Sequence, residues 1–211
     1  MKHLKYFSVS ALIFILAACT NTRITSSWKA PGVSYSNLPM KKIMVAALLP
    51  EKDRRLEKSM EEKVVNELKS KQIDAVSAYD MYGPKYLPKN EEKAVDKLKA
   101  SGIDGFLTIV LLDKDKVKNY NPGYSQFGPV GYYRNWFGYY TTIFGQVYTP
   151  GYYSTQNKYC WESNLYKLPS EKLVYSAQSE SFDPASVNKL AINYSDKLIN
   201  NMIKENLIAK K

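Results

Sequence analysis

A chain of 211 residues with 30 basic and 20 acidic side chains and a formal charge of +10 has the length for one domain with a core of its own. One histidine and two cysteines exclude a disulfide framework and a zinc centre built on Cys and His. The positive balance fits nucleic acid, an anionic membrane or envelope surface, or a lysine-rich solvated face.

Lys2 and Lys5 open the chain, and residues 7–18 are apolar or small apart from Ser8 and Ser10. That run is too short to span a bilayer, which takes ~20 apolar residues. It ends in Leu16-Ala17-Ala18-Cys19. These four residues resemble the signal of a bacterial lipoprotein, in which residues 1–18 are cleaved off and Cys19 becomes the acylated first residue. The competing reading is an ordinary secretory signal with a chance cysteine. Cleavage removes His3, the one histidine, so a serine or cysteine hydrolase driven by a histidine base lacks its base. It also leaves Cys160 without an intrachain partner, and Cys160 reads as a small buried apolar side chain. A position outside the cytoplasm sets nucleic acid aside as a partner. No catalytic residue, metal or cofactor is expected.

Residues 19–39 read as a lipidated tether with an extended entry, to which Trp28 and Tyr35 bring rings that pin it on the domain. The domain proper is expected over 40–211. Ile43 to Leu49 is a continuous apolar run, the pattern of a strand buried on both faces. Asp53 is a cap for a helix whose Leu56, Met60, Val64 and Leu68 fall on one stripe. Ile73 to Ala78 is a second, shorter strand. Asn90 opens a helix with Ala94, Val95 and Leu98 inward, and Gly102 ends it. Gly105 to Leu112 is a third strand. Residues 159–168 and 172–180 form a hairpin around Pro169-Ser170-Glu171. Asp183-Pro184 is the start of a last helix, with Val187, Leu190, Ala191, Tyr194, Leu198 and Met202 as its apolar stripe. The expected fold class is α/β: a mixed sheet of about five strands, β-α-β-α-β followed by an antiparallel hairpin and a C-terminal helix. By hydrophobic weight the first and third strands are central and the second lies nearer an edge.

Residues 119–157 differ from everything around them. They hold nine tyrosines and six of the ten glycines, and Arg134 is their one charge. A connection this long inside a compact domain is usually functional or disordered. Three readings compete. Tyr132, Tyr133, Arg134, Trp136, Phe137, Tyr139 and Tyr140 form a contact surface for an envelope protein, for further copies of the chain or for a glycan. Alternatively the rings sit in the headgroup zone of the membrane. Or the segment packs on its own sheet as structure. Nucleic-acid stacking would call for more interleaved basic residues.

Arg54 and Arg55 follow the first strand, where open α/β sheets form a ligand crevice, and are candidate contacts for an anion. No glycine-rich phosphate loop precedes them, and Glu57, Glu61 and Glu62 offer local pairing, so a solvated helix face is the better reading. Asp53 and Asp113 are the carboxylates a histidine-free hydrolase would use. Asp113 and Asp115, alternating with Lys114 and Lys116, read as an exposed strand extension.

Ser26-Ser27-Trp28-Lys29-Ala30-Pro31, Lys42-Ile43-Met44-Val45, Arg54-Arg55-Leu56, Ser101-Gly102-Ile103-Asp104-Gly105, Asn164-Leu165-Tyr166 and Ser179-Glu180-Ser181-Phe182-Asp183-Pro184 follow one another behind the lipoprotein signal. In that order they resemble a family of bacterial envelope lipoproteins. The implied topology is similar to the amino-terminal domain of TolB and the periplasmic domain of CsgG, parts of outer-membrane assemblies. The resemblance does not extend to a pore, because residues 119–157 lack ten-residue in/out alternation. It implies lipid attachment at Cys19, and Thr20 in place of an aspartate implies the outer membrane. The expected function is that of a non-enzymatic, lipid-anchored interaction or assembly module acting through its aromatic insert, with glycan binding as the alternative.

Overall fold

The computed structural model describes residues 22–37, 40–83, 91–116, 136, 138, 157–168, 170–182 and 184–209. Its strands are β1 (Thr22–Lys29), β2 (Lys42–Leu48), β3 (Asp74–Ser77), β4 (Gly105–Lys116), β5 (Asn157–Lys167) and β6 (Lys172–Phe182). Its helices are α1 (Arg54–Ser70), α2 (Ala78–Tyr82), α3 (Glu91–Ala100) and α4 (Val187–Lys204). The strands form one sheet in the order β1-β6-β5-β4-β2-β3. β2 runs parallel to β3 and β4, and the β4-β5-β6-β1 side is antiparallel. The α/β class, the parallel first three core strands, the central positions of β2 and β4 and the edge position of β3 agree with the sequence reading.

The apolar run of β2 is explained by its position. With a strand on each side and a layer on each face, every residue from Ile43 to Leu48 is buried. Ile43, Val45 and Ala47 enter the core under α1 and α4, while Met44, Ala46 and Leu48 enter the opposite core. α1 turns Leu56, Met60, Val64 and Leu68 into the first core, joined by Leu190, Tyr194 and Leu198 of α4. The second core holds Ala94, Val95 and Leu98 of α3 with Phe106, Tyr166 and Trp136.

Three helix ends share one geometry. Gln72 (φ 63°), Gly102 (φ 70°) and Asn206 (φ 58°) are left-handed. After each, an N–H returns to a carbonyl five residues back: Ile73 to Leu68 (3.1 Å), Ile103 to Leu98 (3.1 Å) and Leu207 to Met202 (2.9 Å). This is the return bond of a Schellman cap, satisfying a carbonyl that the helix leaves open.

Two expectations are corrected. Residues 22–29 of the expected tether are a sixth strand, paired with β6 from Thr22–Ser181 to Lys29–Tyr175 with an irregularity between Ile24 and Ser26. Edge pairing with β6 makes this polar, mostly exposed segment a strand, and an edge strand needs no apolar alternation. The last helix begins at Val187, later than Asp183-Pro184. Ser186 caps it by accepting a hydrogen bond from the Lys189 N–H (3.1 Å), and Val187 is 40% exposed rather than part of the stripe.

Candidate functional site

The end of the sheet where β2 and β4 finish gathers the most chemistry. Thr22 is opposite Ser181, Ser181 opposite Tyr159, and Tyr159 opposite Lys114, so one row crosses β1, β6, β5 and β4. β4 leaves the sheet at Lys116 and β5 enters it at Asn157, its partner in register. The aromatic insert therefore departs and returns at the same end at which β1 begins.

The charges at this end are arranged in pairs. Glu180 spans two cations, accepting from Arg23 Nη2 at 2.8 Å and lying 2.6 Å from Lys158 Nζ. Burial pushes its pKa up, but the hydrogen bonds from Lys158 and Arg23 outweigh that and hold it below the usual carboxylate value. Lys158 is correspondingly raised by its bond to Glu180. Both cations lie over Phe182, Arg23 at 5.4 Å and Lys158 at 5.9 Å from the ring centre. Across the row Lys114 lies 5.2 Å from the Tyr159 ring and donates to Asp53 at 3.0 Å. Asp113 is raised, first by burial and then by Asp115. Burial also pushes the half-buried Cys160 thiol up to about 11, so it stays protonated and unreactive at neutral pH.

The candidate anion contacts are not brought together on one site. Arg54 Nη1 is 3.2 Å from Glu57 and Arg54 Nη2 is 3.8 Å from Glu51, so its guanidinium is taken up within its own helix end. Arg55 is exposed. Asp53 occupies the cap position of α1 without a side-chain capping bond, its carboxylate held by Lys114 instead. Among the described residues no group of three or more His, Cys, Asp or Glu is placed to hold a metal, and no helix is long and apolar enough to cross a membrane.

Of the aromatic contact candidates, Trp136 is fully buried, its ring 4.8 Å from Phe106 and tilted 55° to it. The structure thus gives Trp136 a packing role, whereas the sequence reading set it among contact residues. Tyr132, Tyr133, Arg134, Phe137, Tyr139 and Tyr140 lie outside the described residues, as does Cys19.

The sequence reading set Glu61 on a solvated helix face as a local partner for Arg54 and Arg55, and the structure corrects this. Glu61 is fully buried on α1 and accepts three hydrogen bonds: from the Ala47 N–H (2.9 Å), the Ser77 hydroxyl (2.5 Å) and the Tyr79 N–H (2.8 Å). It ties α1 to the end of β2 and to the β3–α2 junction. Burial raises its pKa to about 7 against those three bonds. The available signal was a second stripe, Glu57-Glu61-Val65, beside the apolar one on the same helix face.

At the far end of the sheet Tyr35, Met40, Ile43, Ile73, Leu165 and Met202 line part of an apolar cavity of about 320 Å³. Among the candidate sites it carries no titratable cluster.

No protein-family model matches the chain, and no curated protein matches it. Solved structures do. PelC from Paraburkholderia phytofirmans, a dodecamer, shares 13% identity over 84% of this chain and 94% of that one, with a TM-score of 0.46. Lipoprotein GNA1162 from Neisseria meningitidis shares 12% identity over 77% of this chain and 98% of that one, with a TM-score of 0.39. A PDZ domain protein from Parabacteroides distasonis shares 14% identity over 92% of this chain and 38% of that one, with a TM-score of 0.45.

Proposed function

We propose that this protein is a lipid-anchored, non-enzymatic module of the bacterial outer membrane, which binds an envelope protein or further copies of itself through its Tyr/Gly-rich insert. The observation that carries the reading is the common root: the insert leaves and re-enters the sheet in register at Lys116 and Asn157, at the end of the sheet where the strand that follows Cys19 begins. A long aromatic connection with both roots on a rigid sheet is the usual way a fold presents a binding loop. The pairing of Asp53 with Lys114 and of Arg54 with Glu57 also favours structural roles for the groups a hydrolase or anion site would need free.

The test is photo-crosslinking in cells from position Tyr139 of the full-length protein, read by mass spectrometry. Tyr139 is preferred to Trp136, whose burial would report on the core. Discrete protein adducts, including adducts to a second copy, support the module. Adducts to glycan alone transfer the insert to the glycan-binding alternative, and no adduct beyond the chain itself removes the contact surface.

A further inference from the structure

Strand β1 starts three residues after Cys19. An extended chain covers at most ~3.6 Å per residue, so the Thr22 backbone lies within about 11 Å of the anchored cysteine. This is shorter than the depth of a headgroup layer plus one side chain, and it leaves the domain little freedom to turn away. Thr22 is fixed in turn: it is buried, its hydroxyl is 2.8 Å from that of Ser181, and the sheet continues rigidly from there. The side chains at this end suit a phospholipid surface. Arg23, with its side chain 69% exposed, and Lys158 flank Phe182 and share Glu180, while Lys114 flanks Tyr159 and is paired with Asp53, so headgroup phosphate competes with these carboxylates for the cations. Cations beside aromatic rings are the composition of the membrane–water interface, where rings sit at headgroup level and cations meet phosphate.

We propose that this end of the sheet, the edge carrying Arg23, Phe182, Lys158 and Lys114, rests on the phospholipid headgroups of the membrane that holds the anchor. The sheet then stands on the bilayer, the insert roots are membrane-proximal, and the apolar cavity at the opposite end opens away from the lipid. This orientation rests on acylation of Cys19, the anchor of the proposed function.

The two ends of α1 serve as the ruler. The helix has 17 residues, so its ends are roughly 25 Å apart. It follows β2 at the proximal end and precedes β3 at the distal end. Full-length acylated protein is prepared in a Cys160→Ser background with one label, at Lys52→Cys or at Ser70→Cys, both exposed positions. It is placed in vesicles of phosphatidylethanolamine and phosphatidylglycerol that carry a headgroup-bound quencher. Mass spectrometry of the amino-terminal peptide and flotation with the vesicles are read first. No acylation and no flotation would overturn the anchor itself. With acylated, floating protein, the Lys52 label should be quenched at least about threefold more than the Ser70 label, given the short range of contact quenchers over that separation. Equal quenching, or stronger quenching at Ser70, would overturn the orientation while leaving the anchor standing. Arg23→Glu should reduce the contrast between the labels; an unchanged contrast would remove the cation contact from the proposal.

Discussion

The two faces of the sheet are built differently. The face under α1 and α4 is continuous and apolar, from Ile43, Val45 and Ala47 through Leu107 and Ile109 to Trp161 and Leu165. Its polar groups are few and local, such as the Ser163 hydroxyl bonded to Tyr194. The opposite face is apolar over β2, over the adjoining part of β4 and at Tyr166 and Leu168 near the end of β5, where α3 and Trp136 lie. Toward β5 and β6 it carries Thr108, Glu162 and Asn164, all buried. Glu162 accepts from Asn164 at 3.3 Å and from Gln178 at 3.4 Å, long bonds for a buried carboxylate. Asn164 Oδ1 is buried with no hydrogen-bond partner among the described residues. The first face is a stability core made by two amphipathic helices from opposite ends of the domain sequence. The second is a mixed surface whose apolar part is completed by a residue from the aromatic insert.

The sharpest way to break this contrast is to truncate one tryptophan on each face. Trp161→Ala should cost about 3–5 kcal/mol, the usual loss for a fully buried large aromatic. Trp136→Ala should cost a similar amount if the insert closes the second face as the packing on Phe106 shows. Denaturant melts of both variants decide it: a loss below about 1 kcal/mol for Trp136→Ala would mean that the second face stands without the insert.

Glu61 sharpens the comparison from the first face. Its folded pKa, about 7, lies above its ordinary value of 4.5. The folded state therefore binds the extra proton, and the associated stability is full below pH 4.5 and is lost as pH rises through about 7. Thermal melts should show the wild type losing stability between pH 5 and 8, with a flatter profile for Glu61→Gln. Parallel profiles for the two proteins would show that the buried carboxylate does not titrate there.

Smaller effects test the helix ends and the charges. Gln72 holds the left-handed position that glycine holds at Gly102, so Gln72→Gly should stabilise by up to about 1 kcal/mol. An unchanged or lowered melting temperature would show that Gln72 gains something there beyond its backbone. Arg55→Ala should shift stability by less than about 0.5 kcal/mol, as for an exposed side chain away from caps and networks. A larger loss would give Arg55 a partner that the fold does not show.

The legible parts of the fold were those in which one face or both are buried by close neighbours. The β2 run, the Leu56-Met60-Val64-Leu68 stripe and the strand-turn-strand around Ser170 announce themselves through periodicity. β1 could not be read that way, because its strand character comes from β6 and not from its own polar sequence. The start of α4 was misread because Asp183-Pro184 and Ser186 are both good start signals, and only the bond to Lys189 distinguishes them. The candidate site was less legible still. Asp53 and Lys114 are 61 positions apart, and their pairing follows from β2 and β4 ending side by side. Trp136 carried the composition of a contact residue and proved to be core, since its neighbours in sequence say nothing of the Phe106 ring beneath it.

The pairing of β1 with β6 has a further consequence, for the order of folding. The first strand of the sheet finds its partner about 150 residues later, and Lys29 and Ser27 also reach Glu205 beyond the last helix. A chain synthesised amino terminus first cannot complete this sheet until nearly all of it has emerged. Loop closure over that span is slow and entropically costly, so β1 is the natural last strand to dock. Until then β1 lacks the neighbour whose pairing makes its polar sequence a strand.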